Sequence, residues 1–86
     1  MHFHLFMKRR VYTSLRRILR HHLIAPAQLI PRRRLSVVFT NQLERAELYC
    51  DVERLFQVQL DEAELQQVET FGQLAACVLR RLPLAA

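Results

Sequence analysis

The groups in this chain with chemistry to offer are a few hydroxyls, four histidines, two cysteines and thirteen lysines and arginines. A nucleophilic hydroxyl needs a base held against it, and Ser14, Ser36 and Thr40 have no histidine or carboxylate placed beside them by any motif. A phosphate-cradling loop needs several glycines, and the chain has one. His2, His4, His21 and His22 share no ligand spacing with either cysteine, so no metal set is expected. The histidines read as solvated or helix-packing groups, with weak binding by a His2 and His4 tail as the remaining metal reading. Cys50 and Cys77 stand far apart inside apolar helical patterns, which predicts two buried free thiols. A disulfide or a reactive thiol is the alternative. Reduced thiols fit a cytoplasmic setting. These residues predict a protein that is not an enzyme.

Charge placement is the sharper signal. Residues 1–40 hold nine of the thirteen bases and no acid, whereas residues 41–86 hold four bases and all eight acids, a net of −4. A two-ended molecule argues against a uniform basic coat for nucleic acid, and fits docking to an anionic partner or head-to-tail self-association. Arg32, Arg33 and Arg34 form the densest run and are the candidate anion contacts, set against the plainer reading of a solvated charge run. No apolar stretch approaches the roughly 20 residues that span a bilayer. At the start, the apolar residues precede the charges, the wrong order for a secretory signal.

Helices must position all of these groups. One glycine and three prolines leave too few turns for a sheet of many strands. Val11, Leu15, Ile18 and Leu19, with His22 or Leu23, recur at three- and four-residue spacing and predict a first helix over residues 8–23. Arg9, Arg10, Arg16, Arg17 and Arg20 occupy the rest of its circumference. Pro26 and Pro31 predict a long non-helical connection over 25–40, pinned by Leu29, Ile30, Leu35, Val37, Val38 and Phe39. Asn41 with Glu44 has capping-box spacing and opens a second helix whose stripe is Leu48, Val52, Leu55 and Phe56. Asp61 with Glu64 repeats the signal before a short helix with Leu65 and Val68 inward. Thr70 with Gln73 opens the last helix, with Phe71, Leu74, Val78 and Leu82 as its stripe and Arg80 and Arg81 at its negative pole. Residues 1–7 read as a flexible tail, 8–83 as one domain and 84–86 as a second tail. Regular patterning starts only after Met7, a candidate initiator.

From Val11 to Leu82 this plan resembles an acyl carrier protein. The segment LERAELYCDVERLFQVQLDEAELQQVETFGQLAACV is similar to that family's second through fourth helices. Glu47 with Leu48, Glu53, Phe56, the pair Val58 and Leu60, and the Thr70-x-Gly72 turn fall where carriers have them. The resemblance implies an all-α four-helix bundle, with three main helices, one short one and a long loop between the first and second. In the family an Asp-Ser-Leu motif opens the second helix and its serine carries 4′-phosphopantetheine. Here the matching residues are Asn41, Gln42 and Leu43. A carboxamide cannot form that phosphodiester, so no phosphopantetheine is expected, and neither Thr40 nor Ser36 stands in the serine's register.

The resemblance therefore implies a non-carrying homologue that binds a protein, an acyl-carrier-dependent enzyme or another carrier of a fatty-acid or polyketide pathway. Its expected contact residues are Leu43, Glu44, Ala46, Glu47, Tyr49, Cys50 and Glu53, with the competing reading that some of Leu43, Ala46, Tyr49 and Cys50 turn inward onto the fourth helix. One alternative is an acyl or lipid ligand held through another residue or noncovalently. The other is a basic surface that binds anionic membrane or nucleic acid through the first helix and Arg32, Arg33 and Arg34.

Overall fold

The computed structural model describes the backbone of residues 2–83 and the side chains of residues 4–83. Among them the chain forms five α-helices: α1 (His2–His21), α2 (Leu35–Val38), α3 (Gln42–Phe56), α4 (Glu62–Leu65) and α5 (Phe71–Arg81). A 3-10 turn at Pro26–Gln28 lies between α1 and α2. No strand occurs among the described residues, and the one bridge of sheet type joins Arg34 to Thr70. The radius of gyration is 12.3 Å, close to the roughly 12 Å of a compact chain of this length.

One core unites the helices. Val11, Leu15, Ile18 and Leu19 from α1 meet Leu48 and Val52 from α3 and Phe71, Leu74, Ala75, Cys77 and Val78 from α5. Leu29, Leu35, Phe39 and Leu60 close it from the connections and α2. No polar or charged residue is buried among the described residues.

Several boundaries differ from the expectation. α1 starts at His2 rather than near residue 8, so described residues 2–7 are helical instead of irregular. Nothing in that stretch breaks a helix, and adding turns to an existing helix is cheap compared with nucleating one. The expected tail at 84–86 lies outside the described residues. α1 ends at His21, and Leu23 takes a left-handed conformation with φ 61°. The Ile24 amide then donates to the Leu19 carbonyl (2.9 Å) and the Leu23 amide to Arg20 (2.9 Å), the bonding of a Schellman cap. This cap resolves the open position in the stripe: His22 turns inward and Leu23 is 94% exposed.

The connection is more ordered than expected. Pro26 begins the 3-10 turn, and after Pro31 the chain forms α2, which corrects the non-helical reading of 25–40. Leu35 and Phe39, four residues apart, are both buried and hold that turn to the core, whereas Val37 points to solvent. The loop before α2 also satisfies the free amides at the start of α5. Phe71 donates to Arg33 O (3.1 Å), Gly72 donates to Pro31 O (2.8 Å), and Leu35 donates to Glu69 O (2.8 Å). A Cβ at Gly72 would lie 3.0 Å from Pro31 O, so the chain's one glycine sits where two backbones touch.

The three predicted caps behave differently. Thr70 and Gln73 form the complete capping box. Asn41 accepts from the Glu44 amide at 2.8 Å, but Glu44 reaches back only to the Asn41 side chain. Asp61 accepts from Ala63, and Glu64 turns away to Arg80 and Arg81, so no box forms there. Two further expectations are corrected. Leu55 sits at the edge of the α3 stripe, 39% exposed, and Cys50 is exposed rather than buried; both cysteines are free.

Candidate functional site

α3 presents its outer face from its first turn. At about 100° per residue, Leu43, Glu47, Cys50 and Arg54 line up along the helix axis, and all four are exposed. Leu43 is 70% exposed. Ala46 flanks the line and is also exposed. Position 42 is the first helical residue, an exposed carboxamide at the positive end of the helix. The opposite side of α3 is fixed by Leu48 and Val52 in the core and by Arg45, whose Nη1 donates to Phe39 O at 2.8 Å.

The other expected contact residues do not all share this face. Tyr49 is half-buried against the core, and burial pushes its phenol up, with the Cys77 thiol adding to the rise and the Arg45 guanidinium opposing it. Glu53 turns to the chain's own backbone and accepts from the Leu60 amide at 2.8 Å. Glu44 is half-buried at the cap. The structure thus groups Leu43, Ala46, Glu47 and Cys50, and separates from them Tyr49, Glu44 and Glu53.

Beside the start of α3 runs an open groove of about 540 Å³ bounded by α2, α3 and α4. Leu35, Leu65 and Val68 supply apolar wall, and Arg34, Arg45, Glu62 and Glu69 place charge of both signs around it. The arginine run splits. Arg33 is half-buried and donates to Gln28 Oε1 at 2.6 Å, Arg34 lines the groove, and Arg32 stands in solvent. Ser36 lines the groove as well, and Thr40 is exposed before the Asn41 cap.

Sequence reasoning missed the pair formed by His22 and Asp51. His22 Nε2 lies 2.6 Å from Asp51 Oδ2, and its ring meets Phe39 edge-on at 5.6 Å. The pair ties the end of α1 to the middle of α3. Twenty-nine positions separate the partners, so no local spacing could have revealed them. No hydroxyl or thiol hydrogen-bonds to this imidazole among the described residues, and the geometry is that of a tether. Cys77 is buried, and its thiol is pushed up by burial and by Glu64, against the pull of Arg80 and Arg81, which keeps it in the unreactive thiol form. Among the described residues no three His, Cys, Asp or Glu side chains converge as metal ligands, and no helix is long and apolar enough to cross a membrane. The His2 side chain lies outside the described residues.

α1 divides into two faces. Its apolar stripe is consumed by the core, so it is not available to a membrane, which corrects that form of the basic-helix reading. Its outer face carries Arg9, Arg10, Arg16, Arg17 and Arg20, all exposed. No family model matches the chain, and no curated protein matches it.

Proposed function

We propose that this chain is an acyl-carrier-like protein that carries no prosthetic group and works as a protein-binding module through the outer face of α3. The observation that carries this reading is the exposed line of Leu43, Glu47 and Cys50 starting beside Gln42. Leu43 is 70% exposed at the helix start, and an apolar residue flanked by a carboxylate suits docking to a partner with a basic rim. The long α1, the capped α3, the short α4 and the final α5 support this reading, while α2 is a helix beyond the four that the resemblance implies. A phosphopantetheine arm does not fit, because Gln42 has no hydroxyl to esterify. The partner class is an acyl-carrier-dependent enzyme or another carrier of fatty-acid or polyketide type. A noncovalent acyl ligand is less well supported, since the groove beside α3 is open and ringed by charge.

The test is intact mass after incubation with coenzyme A and a permissive phosphopantetheinyl transferase, run on the native chain and on Gln42→Ser. We expect only the variant to gain the prosthetic mass. A gain by the native chain would end the non-carrying reading and direct peptide mapping to Thr40 and Ser36. If neither gains it, the α3 face is not carrier-like and the proposed partner class falls.

A further inference from the structure

We propose that the outer face of α1 docks this protein onto an anionic lipid bilayer. Three observations meet on that face. Arg9, Arg10, Arg16, Arg17 and Arg20 project from the side opposite the buried Val11, Leu15, Ile18 and Leu19, and the helix holds no acid. Among the described residues none of these five arginines forms an ion pair; Arg54, Arg80 and Arg81 supply the arginine partners of the salt bridges. Leu5 and Phe6, 58% and 56% exposed, stand one turn before Arg9 and Arg10 on the two flanks of this face, and the Arg10 guanidinium lies 6.0 Å from the Phe6 ring. Leu55 joins Phe6, Arg9, Arg10 and Arg17 along one open groove, extending the apolar patch across to α3.

An interfacial site requires this combination of side chains. Arginines spaced along about 17 Å of helix meet lipid phosphates by charge, and an apolar pair beside them enters the acyl boundary. No carboxylate among the described residues pairs with an arginine of this face, although α3 packs beside α1. Tracking of nucleic-acid phosphates would account for the arginines and leave Leu5, Phe6 and Leu55 exposed for no purpose. The apolar pair therefore selects the bilayer over a duplex.

The experiment is co-sedimentation of the full chain with vesicles of about three parts phosphatidylcholine to one of phosphatidylglycerol, beside vesicles of phosphatidylcholine alone. We expect capture by the anionic vesicles only, weakening as salt is raised. Leu5→Ser with Phe6→Ser should weaken capture about tenfold, and Arg9→Gln, Arg16→Gln and Arg20→Gln together by more than about tenfold, with unchanged thermal midpoints. Leu43→Ser, on the α3 face, should leave capture unchanged. No capture at low salt, equal capture of the Leu5 and Phe6 double variant, or tighter binding to a duplex DNA than to the anionic vesicles would each overturn the proposal.

Discussion

The arginines of α1 and the pair that ends α5 are the same residue near opposite ends of one chain, in opposite electrostatic settings. Arg81 Nη2 lies 3.1 Å from Glu64 Oε2 and 3.9 Å from Asp61 Oδ2, and Arg80 Nη2 lies 3.3 Å from Glu64 Oε1 and 3.3 Å from Cys77 Sγ. These contacts lash α4, only four residues long, to the end of α5. Desolvation pushes the Glu64 carboxyl up, but the hydrogen bonds and charges of Arg80 and Arg81 outweigh it, and the net shift is down. The arginines of α1 meet no carboxylate of their own chain among the described residues. Charge at one end helps hold a marginal helix in place, and charge at the other is displayed outward.

The largest expected effect comes from crossing α1 to its inner side. Leu15→Ala removes a side chain 1% exposed and should cost about 2–5 kcal/mol, read as a lowered urea midpoint. A cost below about 1 kcal/mol would mean that α1 is only loosely part of the core. A smaller effect is expected at the α4–α5 corner, where Glu64→Gln should lower the thermal midpoint at neutral pH. Because the folded carboxyl lies below its ordinary value of 4.5, its contribution is complete above that pH and fades as pH falls through the lowered folded value. Melting curves of the native chain and Glu64→Gln should therefore converge in acid. A gap that persists there would assign the loss to packing instead of charge. The smallest effect belongs to the outer side of α1: Arg16→Gln with Arg20→Gln should change stability by no more than about 0.5 kcal/mol. A clear loss would reveal internal partners for these arginines and erase the contrast between the two ends.

The helices with the strongest periodic stripes were legible in advance. Val11, Leu15, Ile18 and Leu19 fall on one face by spacing alone and are buried together, and the Thr70–Gln73 box forms in full. The expected contact face was only partly legible. Glu53 looks like a surface carboxylate at helical spacing, yet a backbone amide seven residues on claims it. Cys50 sits among apolar residues in sequence, yet the rotation of α3 turns it to solvent.

What the sequence determined by itself is what depends on spacing within a turn or two: all-α class, the stripes, the caps and the basic first half. Periodicity and capping are local, and a few residues suffice to specify them. Only the tertiary structure decided the features that join distant segments. Leu23 and Gln57 end their helices in left-handed conformations without glycine, and Gly72 lies against Pro31. His22 reaches Asp51 across the bundle, and Glu64 abandons its cap for Arg80 and Arg81. Each of these rests on which backbone or charge lies across the packed interface, and that is set when the helices close on one another.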